Sequence, residues 1–262
     1  MNSIRHPAVA GSFYPLETEQ LRQQIKSLLN EVQNTSGPSP KAIIVPHAGY
    51  IYSGEIAASA YARVALGRNI IRRVVLLGPA HRVAFHGLAL SSHDYFKTPL
   101  GLIPTDHSTI KRLKDLPEIQ ILDQAHKLEH SLEVQLPFLQ EVLNNFILVP
   151  IVVGETTQET VAKVIDRLWG GEETLVVISS DLSHYHNYIL AKRQDLSTSH
   201  AIESLRTDAI GYDDACGQLP INGLLLVAEK MGLNVTTYDL RNSGDTAGDR
   251  DRVVGYGAYG FE

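Results

Sequence analysis

Lys41-Ala42-Ile43-Ile44-Val45-Pro46-His47-Ala48-Gly49-Tyr50-Ile51-Tyr52-Ser53-Gly54 decides the fold class. Ala42 to Val45 is a short apolar run and reads as a buried strand. Pro46 ends it, because proline has no amide hydrogen to give to a ladder. His47 and Gly49 follow on a turn. From Ser53 or Gly54 onward, Ile56, Ala57, Ala60, Tyr61 and Val64 recur at helical spacing. The unit is strand, loop, helix, with a histidine at the carboxyl end of the strand. In open α/β sheets that end is where ligands bind. A turn histidine bonded to local backbone is the plain alternative, and recurrence of the pattern along the chain tells against it.

Working toward the N-terminus, Asn34 to Pro40 is a Ser/Gly/Pro loop. Before it, Leu21, Ile25, Leu28, Leu29 and Val32 make one apolar stripe on a helix from Thr18 to about Gln33. Residues 1 to 15 form an irregular arm in which Val9, Phe13 and Tyr14 need a surface. The arm is structural, or it lines a pocket through Phe13.

Working forward, Arg73 to Leu77 is a second strand, followed by Gly78-Pro79-Ala80-His81. Gly87–Ser91 and Leu100–Pro104 read as an excursion or hairpin, and Asp106–Leu116 as a helix. Phe146–Val153 is a third strand, with a helix carried by Val161, Val164, Ile165 and Leu168. Thr174–Ile178 is a fourth, followed by Ser179-Ser180-Asp181-Leu182-Ser183-His184. One or two helices span about Asn187–Leu205. Pro220 suits the first position of a helix ending at Gly232. Asn234–Leu240 is a strand leading to Asp245, and Val253–Phe261 is the last. Strand then helix, repeated, means an α/β class: one domain over 1–262 with a central, largely parallel sheet, mixed at its edges and flanked by helices.

Hydrophobic residues make up 44% of the 262, enough for a sizeable core. The net charge of −6 and the lack of a basic run argue against nucleic acid or an anionic membrane as partner. No signal segment and no membrane-length apolar run is read, so the expected compartment is cytoplasmic. Cys216 is the sole cysteine, which excludes an internal disulfide, and such a residue is more often a small buried hydrophobe than a nucleophile.

The count that stands out is 11 histidines. Separate strand ends deliver His47, His81, His184 and Asp245. Neighbouring strands are about 4.8 Å apart, so such loops can bring ligands within a metal's reach. Imidazole and carboxylate suit Fe(II), Zn or Mn. We assign His47, His81 and Asp245 to a metal and His184 to acid/base work. The alternative puts His184 on the metal and Asp245 behind it. Asp181 orients His184 or caps the following helix. Tyr52 packs, or puts its hydroxyl into the pocket. In His130-Ser131-Leu132-Glu133 the two ends share one face of a turn. Either both point into the pocket, or Glu133 closes a capping box. Pro137 predicts a kink, or a helix starting close to it. His6, His86, His93, His107, His126 and His200 read as surface or loop residues.

Arg5 to Pro15, Pro46-His47-Ala48-Gly49-Tyr50, Leu77-Gly78-Pro79-Ala80-His81, His130-Ser131-Leu132-Glu133 and Ser179 to His184, in this order, resemble the Memo family. That family is similar in fold to the class III extradiol dioxygenases. The resemblance implies a pocket at the strand ends and a non-haem iron site, with copper as an alternative metal. It implies a dioxygenase-like redox enzyme of unknown substrate; a non-catalytic peptide or metal binder, or a metal-dependent hydrolase, are the alternatives. Its partners would be a small, aromatic or peptide ligand. Prokaryotic relatives occur beside radical-SAM and AMMECR-like proteins, and the animal member binds signalling phosphopeptides. His47 and His81 match metal-site histidines, His184 the histidine beside the metal, and Tyr52 and Phe13 the pocket mouth. Asp245 departs from the pattern: the animal branch has cysteine near this place. A carboxylate there favours iron, manganese or zinc over copper(I).

Overall fold

The computed structural model describes residues 2–33, 35–113 and 115–262; Asn34 of the expected loop and Lys114 of the expected helix lie outside the described residues. The first half of the chain runs β1 (Ile4–Arg5), α1 (Thr18–Asn30), β2 (Ala42–Val45), α2 (Tyr50–Val64), β3 (Arg73–Pro79), β4 (Leu88–Leu90), β5 (Tyr95–Thr98), β6 (Gly101–Pro104), α3 (His107–Leu113), β7 (Ile119–Ile121) and α4 (Asp123–Lys127). The second half runs α5 (Leu136–Val142), β8 (Ile147–Val153), α6 (Gln158–Leu168), β9 (Thr174–Ser179), β10 (His184–His186), α7 (Tyr188–Glu203), α8 (Gln218–Met231), β11 (Val235–Asn242) and β12 (Val253–Phe261).

The four apolar runs form the centre of the main sheet. They lie in the order β2-β9-β3-β8 and are parallel throughout. β12 is antiparallel to β2, and β4 antiparallel to β8, so the edges are mixed. β10 and β11 both pair with β12. β1, β5 and β6 make a separate small sheet.

Side chains alternate along the central strands. Ile43, Val45, Val74, Leu76 and Val177 pack on one face with α1, α2 and α5. Ala42, Ile44, Val75, Leu77, Val176 and Ile178 pack on the other with α6 and α8. A strand buried on both faces is apolar at every position, which is why these runs show no period of two. Gly232 ends α8 at φ 67°, a left-handed turn that glycine enters without penalty.

The expected class holds; the differences are local. Residues 87–91 and 100–104 do not form a hairpin with each other. β4 joins the main sheet, while β6 pairs with β5. Of the two outcomes expected at Pro137, the helix starting close to it is the one found: it lies in the first turn of α5, where its missing amide hydrogen costs nothing. Pro220 sits at the third position of α8 rather than the first. β1, β7, α4 and β10 have two to five residues, too few for any periodicity to show. No helix among the described residues is long and apolar enough to cross a membrane.

Because β2, β9 and β3 are adjacent and parallel, their carboxyl ends emerge side by side. Val45 registers with Ser179, and Leu77 with Ile178. The loops carrying His47, Asp181 and His81 therefore start within a strand spacing or two of one another.

Candidate metal centre

A cavity of about 1170 Å³ opens at those strand ends. Its walls include Phe13, Tyr52, Tyr185 and Tyr256; His47, His81, His130, Asp181, His184 and Cys216 also line it. The ring of His47 lies 5.2 Å from that of His81 and 5.4 Å from that of His130, centroid to centroid. The rings of His81 and His130 stack at 4.7 Å.

His47 is 2% exposed. Its backbone N–H donates to Asp181 Oδ1 at 2.7 Å, and its Nδ1 lies 3.0 Å from Ser179 Oγ. Nε2 is 3.4 Å from Cys216 Sγ. Burial lowers its pKa to about 4, so the ring is neutral at neutral pH. A neutral imidazole is the form that ligates a metal.

His81 is held by Glu129. The backbone N–H of His81 donates to Oε2 at 2.6 Å, and Nδ1 lies 2.9 Å from Oε1. Oε1 also accepts from the backbone N–H of His130 at 2.9 Å and of Ser131 at 3.0 Å. Burial opposes ionisation of Glu129, but these donors outweigh it and hold its carboxyl well below the usual range. A carboxylate only accepts, so Nδ1 of His81 carries a proton, and it is Nε2 that is left to offer a lone pair when the ring is neutral.

Two groups of three have ligand atoms within 4.8 Å of one another: His47, His81 and Cys216; and His81, Glu129 and His130. Hydrogen-bond accounting separates them. The oxygens of Glu129 are already engaged by four donors, which makes it the carboxylate behind a histidine ligand rather than a ligand. In the first group Nε2 of His81 has no hydrogen-bond partner among the described residues, while Nε2 of His47 and the sulfur meet each other at 3.4 Å and the sulfur otherwise has only long contacts, 3.6 Å to Asp181 O and 3.8 Å to Ser180 Oγ. Burial, with Asp181 nearby, pushes the Cys216 thiol up to about 12. A bound cation would reverse that, since a coordinating thiol deprotonates. Two imidazoles and a thiolate fit a divalent metal.

The expected residues divide accordingly. Phe13 is in place, 4.9 Å from the His130 ring, with its carbonyl accepting from Tyr50 N–H at 2.8 Å. Tyr52 is 37% exposed at the mouth. His184 lines the cavity, and among the described residues nothing hydrogen-bonds its ring. Asp181 holds the His47 backbone, and neither orients His184 nor caps α7, where Asn187 does so. Tyr185, between His184 and His186, takes φ 61°, and the ladder to β12 is irregular at that point. All three rings line the cavity.

Two assignments are not met by the geometry. Asp245 is exposed and is not a wall of the cavity. Its Oδ2 accepts from Asn242 N–H at 3.1 Å and its Oδ1 from Tyr188 OH at 2.6 Å, so it closes the turn after β11. Glu133 faces away from the cavity and anchors the N-terminal arm. It accepts from Arg5, from the backbone of Ala8 and Val9, and from Tyr14 OH. His126, expected at the surface, is 1% exposed, with Nε2–H donating to Ala89 O at 3.0 Å. Two residues at the centre were not assigned to it from sequence: Glu129 and Cys216. A single cysteine has no spacing to read. The weak signal is Gly217 beside it, where a Cβ would lie 2.7 Å from that of Ser180, as a loop crossing the end of β9 requires.

A family described as "Memo-like protein" matches residues 5–259. A "MEMO1 family protein" of Aquifex aeolicus is 39% identical, covering 97% of each chain. Another, of Sulfolobus acidocaldarius, is 36% identical, again over 97% of each. The crystal structure of an uncharacterized protein of Escherichia coli K12 is similar in fold: TM-score 0.54 at 11% identity, over 82% of this chain and 98% of that one.

Proposed function

This chain belongs to the Memo family, and on that premise we propose that it is a mononuclear metal-dependent redox enzyme, dioxygenase-like, acting on a small planar substrate. The observation that carries this reading is the meeting of His47 Nε2, His81 and Cys216 Sγ at a cavity walled by aromatic rings. Fe(II) is the metal we favour. The thiolate removes the reason for discounting copper, which rested on Asp245, and it disfavours manganese; zinc also suits the set. Three protein ligands leave positions at which a bound metal would supply Lewis acidity and redox capacity.

The chain's own residues do the rest. Glu129 and Ser179 fix the two imidazoles. Phe13 and His130, their rings tilted by 54°, offer aromatic walls for a planar substrate, and Tyr52 and Tyr185 flank the mouth. His184, whose ring nitrogens have no hydrogen-bond partner among the described residues, takes the substrate proton at a ring nitrogen.

The test is anaerobic purification with elemental analysis of the wild type, His47→Ala and Cys216→Ser. About one metal per chain is expected in the wild type, with loss in both variants. Full occupancy in Cys216→Ser would remove the sulfur from the ligand set. An oxygen-uptake screen with catechols then separates enzyme from binder: ligand affinity without uptake would favour a non-catalytic protein.

A further inference from the structure

Behind His47 lies a buried chain of hydrogen bonds whose polarity can be worked out atom by atom. Gln135 is fully buried. Its Nε2 is 2.9 Å from Pro46 O and 2.8 Å from Ser179 Oγ, and its Oε1 accepts from Tyr61 OH at 2.9 Å. A carbonyl oxygen cannot donate, so the atom facing Pro46 O must be the amide nitrogen. The reversed amide would set two oxygens against each other. Nε2 of Gln135 therefore has its second hydrogen for Ser179.

Ser179 Oγ is 2.6 Å from Ser131 O, another atom that can only accept. The single hydroxyl hydrogen of Ser179 goes there. What remains on Oγ is two lone pairs. One receives Gln135 Nε2–H. The other faces His47 Nδ1 at 3.0 Å, and that contact is a hydrogen bond only if Nδ1 carries the proton.

We infer that Gln135 and Ser179 are positioning residues that lock His47 in its Nδ1–H tautomer, so that the lone pair of Nε2 is presented to the cavity. The inference rests on the metal-site reading for its purpose but not for its existence. Tyr61, in α2, and Pro46, after β2, hold the amide; Ser131, behind Pro79, holds the hydroxyl. His47 thus obtains from neutral groups what His81 obtains from the Glu129 carboxylate. The two ligands are oriented alike, but His47 brings no negative charge with it. In a centre where Cys216 would become a thiolate on binding a metal, that would limit the charge buried there.

The experiment uses the full-length, metal-free, ¹⁵N-labelled protein. Long-range proton–nitrogen correlation reads the state of each imidazole nitrogen, and the His47 ring is identified by its loss in His47→Gln. In the wild type, Nδ1 of His47 is expected at a protonated shift and Nε2 at an unprotonated one. In Ser179→Ala the proton is expected to move to Nε2, wholly or in part, while His81 stays unchanged as an internal control. Zinc(II) affinity, measured against a competing chelator, is expected to fall ten- to a hundredfold in that variant. Ser179→Thr, which keeps the hydroxyl, should restore both readouts. A wild-type His47 protonated at Nε2 overturns the inference, and this spectrum decides even if Ser179→Ala does not fold. A His47 proton that stays wholly on Nδ1 in a folded Ser179→Ala also overturns it. A wild type with the Nδ1–H tautomer that takes up no zinc sinks the metal reading and leaves the lock standing.

Discussion

Glu129 and Glu133 stand four residues apart, both buried and both saturated with donors, yet they serve different ends. The donors to Glu133 are Arg5, two amides of the N-terminal arm and Tyr14 OH. None of these lines the cavity, so the cluster is closed on itself and fastens the arm that presents Phe13. The donors to Glu129 include an imidazole whose other nitrogen faces the cavity. A buried carboxylate is therefore part of a site when one of its partners keeps an unused valence, and part of the scaffold when none does. The two clusters are also coupled. Arg5 donates to Glu129 O at 2.7 Å and to His126 O at 3.0 Å, so it grips the backbone beneath the first carboxylate while pairing with the second.

Three measurements would break or sharpen this contrast. The largest effect is expected from Glu133→Ala. It strands the Arg5 guanidinium, 3% exposed, without its counter-charge. Removing one partner of a buried pair costs about 3–5 kcal/mol, to be read by urea denaturation. A loss under about 1 kcal/mol would mean that the arm is not fastened there.

Asp195 supplies the next test, because it is the poorly satisfied counterpart. Its Oδ1 accepts from Ser183 N–H at 3.0 Å, and its buried Oδ2 has no partner. Burial raises its pKa from 3.8 to about 6, the reverse of Glu129. With the folded pKa above the unfolded one, the native state binds more protons between those values. Its contribution is thus present in full below pH 3.8, lost as pH rises to about 6, and level above. The shift corresponds to roughly 2–3 kcal/mol. Asp195→Asn should flatten that part of the stability–pH curve; an unchanged slope would rule out Asp195 as its source.

The smallest effect is expected from Glu129→Gln. The amide still accepts at one oxygen but cannot satisfy every donor. Metal affinity should fall ten- to a hundredfold, about 1.4–2.8 kcal/mol. If instead the metal is lost as completely as in His47→Ala, Glu129 is itself a ligand and the second cluster of three is the centre.

The strand ends were legible because local chemistry announces them. Ala42–Val45, Val74–Leu77 and Leu175–Ile178 are apolar at every position; Pro46 follows the first of these runs and the Gly78-Pro79 pair the second. That alone marked His47 and His81 as residues at strand ends, and gave the class of sheet; Phe13 was read from the arm, whose apolar side chains need a surface. Asp245 misled because it too follows a strand. β11 pairs with β12 at the margin of the sheet, away from the β2-β9-β3 centre, and strand order is not written along the chain. Glu129 and Glu133 cannot be told apart by type or spacing; only the arrival of the arm at one and His81 at the other distinguishes them.

What the sequence by itself determined is the alternation of buried strands and amphipathic helices, since burial and backbone periodicity act over a few neighbouring residues. What only the tertiary structure decided is which loops meet. Cys216 reaches His47 across 169 positions of chain, and the Tyr61–Gln135–Ser179 relay draws on three separate elements. Contacts of that kind follow from strand order and packing, and no local run of residues encodes them.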